Sequence, residues 1–107
     1  MEHDMIDIND HTTIGEALEA AIAKYASLSL LAVPANPGRN YLPEGREFSY
    51  AEAGRLIDAL KACYQSAGYG VGHRIGLLLE SRPEHMLHKL AMNSLGICCV
   101  PINPDYK

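Results

Sequence analysis

Apolar side chains recur at Ile14, Leu18, Ala21, Ile22 and Tyr25, the three- and four-residue spacing of a helix with one buried stripe. Thr13-Ile14-Gly15-Glu16 has the spacing of a capping box, in which a hydroxyl and a carboxylate satisfy orphan helix N–H groups, so a helix is predicted over roughly 14–26. Leu28 to Val33 is a short apolar run closed by Pro34, and Pro34 to Gly45 is rich in turn residues: a strand, then a loop. Glu47-Phe48-Ser49 has the length and composition to pair back as a second strand, an antiparallel excursion from Leu30 to Phe48.

Ser49-Tyr50-Ala51-Glu52 is a second capping box, followed by Ala53, Leu56, Ile57, Leu60, Tyr64 and Ala67 on one face and Gly68 at the C′ position. The run Arg74 to Leu79 is too short and too continuously apolar for a helix, and predicts a strand covered on both faces. Ser81-Arg82-Pro83-Glu84 opens a third capped helix with a buried stripe of Leu87, Leu90, Ala91, Ser94 and Leu95, ending at Gly96. Ile97 to Ile102 is again a short apolar run, stopped by Asn103-Pro104. Strand, helix and strand within about thirty residues form a βαβ unit with parallel strands and a right-handed crossover. The fold class expected is α/β: an incomplete open parallel sheet with flanking helices, since an open sheet needs more than two central strands. Residues 1–12, acidic and without periodicity, read as a flexible terminus, and 13–107 as one partial subdomain.

Composition narrows the classes. The chain has 107 residues, 48% hydrophobic and 21% charged, which fits a globular domain with one modest core and excludes collagenous and disordered classes. Nine basic against 13 acidic residues give a net charge of −4, with the basic residues scattered, so no nucleic-acid footprint is expected. No window reaches the ~18 apolar residues of a membrane span, and Met1-Glu2-His3-Asp4 is acidic where a secretory leader would be basic. Three cysteines, Cys98 and Cys99 adjacent, make no disulfide framework, and a reducing, cytoplasmic location is expected. On a strand that adjacent pair faces opposite ways, so one of the two should be a small buried hydrophobe.

Several segments invite a chemical reading. Gly68-Tyr69-Gly70-Val71-Gly72 has the glycine density of a phosphate loop, but it follows a helix and enters a strand, the reverse of what places an anion at a helix N-terminus. It reads as a helix C-cap and a tight turn. His85 and His88 lie three apart beside Glu84, a spacing at which two imidazoles reach one metal, but no third or fourth ligand is evident and a solvated face is the better reading. Ser49 and Ser81 read as caps, outside any Gly-x-Ser-x-Gly elbow. Glu80, Ser81 and Asn103 lie just past the carboxyl ends of the parallel strands, where open α/β sheets place ligands; turn chemistry explains the same residues. No catalytic, cofactor-binding or metal-binding role is assigned to any of them.

Three segments carry a family likeness. Phe48-Ser49-Tyr50-Ala51-Glu52-Ala53 is similar to the aromatic/Thr-Tyr-x-Glu-Leu segment near the start of adenylate-forming enzymes, the superfamily of acyl-CoA synthetases, luciferases and peptide-synthetase adenylation domains. Gly70 to Glu84 resembles their Gly-Asp-Arg-Val strand followed by Asn-x-Pro-Glu, and Leu95 to Pro104 resembles their Ala-Gly-x-x-x-Val-Pro-Ile-Asp/Asn-Pro segment. The likeness runs over about 12–107, in family order and spacing, and leans toward AMP-dependent acyl-CoA synthetases of carboxylic or fatty acids. His73 stands where the family often has Asp, Ser81 where it often has Asn, and Ala53 where it often has Leu.

The resemblance implies the beginning of a large N-terminal domain in a ligase that uses ATP, Mg²⁺ and CoA to turn a small-molecule carboxylic acid into acyl-CoA through an acyl-adenylate. The family's Ser/Thr/Gly-rich phosphate loop ending in Pro-Lys-Gly, its ribose-binding acid and its C-terminal catalytic Lys would all lie beyond residue 107. The expectation is therefore an N-terminal fragment, itself inactive and only marginally stable alone, whose partner is the remainder of the synthetase. The alternative is a stand-alone binding or assembly module that completes its sheet with a partner or by self-association. An acyl carrier is disfavoured, since no Asp-Ser-Leu occurs to carry a phosphopantetheine arm.

Overall fold

The computed structural model describes residues 6, 8–78 and 82–102. In chain order the elements are α1 (Ile14–Lys24), β1 (Ser29–Val33), β2 (Arg46–Ser49), α2 (Tyr50–Ser66), β3 (Arg74–Leu77), α3 (Pro83–Ser94) and β4 (Cys98–Pro101). β1 and β2 pair antiparallel, with Leu31 opposite Phe48 and an irregularity between Ser29 and Leu31. β3 and β4 pair parallel, Arg74 opposite Cys98 through Leu77 opposite Pro101, with α3 as the crossover. The architecture is the small α/β fold expected, with helices beside a short parallel sheet.

Helix boundaries follow local chemistry. Thr13 Oγ1 accepts from the Glu16 N–H at 3.1 Å while Glu16 Oε1 accepts from the Thr13 N–H at 2.9 Å, completing the box that starts α1. α1 ends at Lys24, two residues short of the periodicity. At α2 only half of the predicted box forms: the Ser49 hydroxyl accepts from the Glu52 N–H at 3.1 Å, but the Glu52 carboxylate turns to the Arg46 guanidinium instead. A charge-assisted bond to a neighbouring strand residue outcompetes a backbone N–H. α3 corrects the sequence reading more sharply, because its N-cap is Arg82, which makes no side-chain capping bond, and Pro83 supplies the first turn. Ser81, the cap expected there, lies outside the described residues, as do Leu79, Glu80 and Asn103.

α2 and α3 both close in the same way. After α2, the Gly68 N–H donates to Gln65 O and the Tyr69 N–H to Tyr64 O; after α3, Gly96 donates to Asn93 O and Ile97 to Met92 O. These are paired 5→2 and 6→1 bonds around a glycine of positive φ, which satisfy carbonyls the helix leaves open. The segment Gly68–Gly72 is thus a helix C-cap and turn.

The core has two parts. Phe48, Ala53, Ile57, Leu87 and Ala91 form one buried cluster between β2, α2 and α3, with Leu18, Leu31, Leu60 and Leu90 packed against it. Leu77, Met92 and Ile97 form a second between α3 and the parallel sheet, flanked by Ile75, Leu95 and Cys99. Met92, absent from the predicted stripe, is wholly buried, and Leu56, included in the α2 stripe, is 38% exposed. α1 packs on both α2 and α3 yet buries none of its residues fully.

β3 departs from its prediction. Leu77 is buried and Ile75 half-buried, but Arg74 and Gly76 are exposed, so one face of the strand is covered rather than two. α3 and the second cluster lie on that covered face. On β4 Cys99 turns inward and Cys98 outward, the split expected of adjacent residues on a strand.

Candidate functional site

Two clefts flank α3, and they separate the two histidines that sequence spacing had placed together. His85 lines a cleft of about 400 Å³ between the end of β1, the 34–45 loop and the start of α3. His88 lines a second, of about 360 Å³, between α2 and α3.

Arg39 builds the wall of the first cleft. Its Nε donates to Tyr41 O at 2.8 Å and its Nη2 to Pro34 O at 2.8 Å and to Leu42 O, so one side chain gathers three carbonyls of a loop that has no strand or helix of its own. Leu42 takes φ of +42° to present its carbonyl, which also accepts from the Gly45 N–H. The Tyr41 ring lies 5.0 Å from the Arg39 guanidinium and 4.4 Å from that of Arg82, a cation–π contact on each. Arg82 Nη2 also reaches Asn40 Oδ1 at 3.5 Å. The loop is thereby fastened to the first turn of α3, immediately after the β3–α3 connection. Nothing in the local pattern of residues 34–45 announces Arg39 as the organiser, because its partners are backbone groups brought together by the loop's own path.

The second cleft has an apolar floor. Phe48 and Leu87 close it, Leu56 and Leu60 wall it, and Cys63 and Glu84 stand on its lining. The Tyr64 hydroxyl and His88 Nδ1 are 2.7 Å apart across the α2–α3 interface. Burial, with smaller contributions from Cys99 and Cys63, pushes the Tyr64 phenol above its ordinary pKa. This one hydrogen bond ties α2 to α3. Burial likewise raises the Cys99 thiol, opposed by Lys89 and assisted by Cys98.

Among the described residues no three His, Cys, Asp or Glu side chains come together to hold a metal ion. The glycine-rich turn 68–72 closes a helix rather than opening one, so its N–H groups serve the α2 C-terminus. No chemical step is assigned to the described residues. No helix among the described residues is long and apolar enough to cross a membrane.

A βαβ unit with a short antiparallel pair and three helices defines the class as α/β rather than all-α or sandwich. The model of the AMP-binding enzyme family matches residues 31–107, and the chain belongs to that family. Its fold is similar to the Klebsiella oxytoca NpsA N-terminal subdomain solved with 3-hydroxyanthranilyl-AMSN, at TM-score 0.75 and 19% identity over 88% of this chain and 22% of that one. It is similar to the acetoacetyl-CoA synthetase of Streptomyces lividans, at TM-score 0.76 and 19% identity over 88% of this chain and 14% of that one. The A-PCP didomain of the Segniliparus rugosus carboxylic acid reductase, solved with AMP, matches at TM-score 0.73 and 21% identity over 92% of this chain and 16% of that one. No curated protein matches the chain. The chain spans about a fifth or less of the length of these three solved proteins.

Proposed function

We propose that the chain is the opening segment of an ATP-dependent carboxylate–CoA ligase and acts as scaffold, with the groups that handle ATP and the acid on further polypeptide. The parent reaction would join a carboxylate to the α-phosphorus of ATP with release of pyrophosphate. The thiol of CoA would then take the acyl group from the adenylate and release AMP. The observation that carries this reading is the family match over 31–107, which contains the whole βαβ unit. The resemblance of the Gly70–Glu84 and Leu95–Pro104 segments supports a CoA ligase of carboxylic or fatty acids. The solved neighbours include an acyl-CoA synthetase and a reductase, so the thiol acceptor is the point to test.

The test is carboxylate-dependent ATP–pyrophosphate exchange, measured on the 107 residues alone and on the chain translated with whatever coding sequence follows Lys107. Exchange only by the longer polypeptide, with acyl-CoA formed on adding CoA, is the expected result. Exchange by the 107 residues alone would overturn the scaffold role. Acyl-adenylate formed without transfer to CoA would overturn the ligase assignment and leave the family intact.

A further inference from the structure

We propose that the cleft between the end of β1, the 34–45 loop and the start of α3 binds a small organic monoanion, an oxyanion head of one charge on a compact aromatic body. The proposal is independent of the adenylate-forming reading, which gives this cleft no part.

The fold inverts the local charge here. The chain carries a net charge of −4 with its basic residues scattered along the sequence, yet Arg39, Arg82 and His85 come together on this lining, with no Asp or Glu among the described residues that form it. In the α2–α3 cleft, by contrast, Arg46 is ion-paired with Glu52, and Glu84 shares the lining. Arg39 makes no ion pair among the described residues. Its Nε and Nη2 spend three of a guanidinium's five N–H donors on Tyr41 O, Pro34 O and Leu42 O, so the two on Nη1 remain. Those carbonyls fix the group in place but carry no net charge, and the full positive charge stays on the half-buried wall. A guanidinium held this way attracts an oxyanion through its charge whichever way the ligand's oxygens turn, and a partly buried site weakens that attraction less than open water does.

The rest of the lining selects the body of the ligand. Leu31, Val33, Pro34, Pro83 and Met86 are apolar, and Met86 is 40% exposed. A bare inorganic anion would leave this surface in water, whereas an aromatic ring would cover it and meet the Met86 thioether. The same apolar wall favours a single charge, since a dianion costs more to desolvate there. The volume of about 400 Å³ lies in the range of small-molecule sites.

Met86 makes the site readable. It lines the cleft, whereas Met92 is wholly buried in the cluster beside the parallel sheet. The 107-residue chain with methyl-labelled methionine would be titrated at constant ionic strength, followed by nuclear magnetic resonance, with benzenesulfonate, with neutral benzenesulfonamide and with inorganic sulfate. Benzenesulfonate is no carboxylate, so its binding cannot be mistaken for that of a ligase substrate. It is expected to shift the Met86 methyl saturably and leave Met92 unmoved, with the sulfonamide and sulfate each about tenfold weaker or more. Ala32 is exposed and lines the cleft, and the variants A32E and A32Q differ there in charge at equal size. A32E should bind benzenesulfonate about tenfold more weakly than A32Q. No saturable Met86 shift, joint movement of Met86 and Met92, equal binding of the sulfonamide or of sulfate, or equal binding by A32E and A32Q would each overturn the proposal. The three probes decide the matter in the unaltered chain even where both variants fill the cleft.

Discussion

The Tyr64 hydroxyl meets His88 Nδ1 at 2.7 Å across a sequence separation of 24, and the Tyr64 side chain packs against both buried clusters. One residue of α2 therefore links the packing of α2 on α3 to the packing of α3 on the parallel sheet. Y64F keeps the ring and removes the hydroxyl, leaving the imidazole without that partner. The expected loss is about 1 kcal/mol, from the net worth of a partly buried hydrogen bond. In a domain of this size that lowers Tm by roughly 4–8 °C. Thermal unfolding of Y64F, H88A and the double variant checks it, and additive losses would show that the two side chains do not act as a pair.

The same region sets an alkaline limit. Burial raises both the Tyr64 phenol and the Cys99 thiol, so the folded chain holds these protons more tightly than the unfolded chain. The unfolded state then binds fewer protons at high pH, and stability falls as pH rises past the ordinary thiol and phenol values. Their contribution is whole at neutral pH. Urea midpoints measured from pH 7 upward should decline, and C99A combined with Y64F should flatten the decline. An equally steep decline in the double variant would contradict this account.

Two glycines with nearly the same backbone angle separate conformation from space. Gly45 has φ of +83° and Gly68 +89°. A Cβ at Gly45 would lie 2.7 Å from Val33 O and 2.8 Å from Ala35 N, whereas at Gly68 it would meet nothing within 4 Å. G68A should therefore show only the left-handed penalty, about 1–2 kcal/mol. G45A adds a backbone clash where the loop turns back onto the end of β1, and should be the more damaging. Equal losses in denaturant titrations would mean that the loop shifts to make room.

Cap strength can be read the same way. The two-way bond between Thr13 and Glu16 starts a helix that buries none of its residues fully, while the one-way bond at Ser49 starts a helix that buries Ala53, Gly54 and Ile57. Losing either cap costs about 0.5–2 kcal/mol. T13A should express that loss locally, as faster hydrogen exchange across Ile14–Lys24 with little change in Tm, because no residue of α1 is fully buried. S49A should lower global stability instead. A reversal of these two patterns would show that α1 is anchored by its contacts with α3 and not by its cap.

Much of this was legible because it is local. The Thr13–Glu16 box, the glycines after α2 and α3 and the short runs Arg74–Leu77 and Cys98–Pro101 all follow from residues a few positions apart. What was not legible depends on which groups the fold brings together. Arg46 draws Glu52 out of its capping box, Met92 is buried by the parallel sheet, and His88 faces Tyr64 rather than joining His85. Strand burial misled for the same reason, since an apolar run shows that a strand suits two covered faces but not whether the elements that cover them are at hand. The Arg39 clamp is the extreme case: its acceptors are three carbonyls, and carbonyls leave no mark in sequence.

The parallel pair supplies the last test. Among the described residues β3 and β4 hydrogen-bond only to each other, and Val71, Leu78, Val100 and Ile102 stand 86%, 60%, 42% and 43% exposed around them. Two strands with open outer edges form a weak unit even with one face on Met92 and Ile97. α2, by contrast, is held by its own ladder and by the larger cluster. In native-state hydrogen exchange the amides of Arg74–Leu77 and Cys98–Val100 should therefore exchange faster than those of Ile57–Tyr64 in a monomer of the 107-residue chain. Under the scaffold reading a longer polypeptide contributes neighbouring strands, and the β3–β4 amides should slow toward the α2 value when it is present. Protection equal to that of α2 in the short monomer would show that the pair is a finished sheet, and the scaffold reading would lose its structural motive.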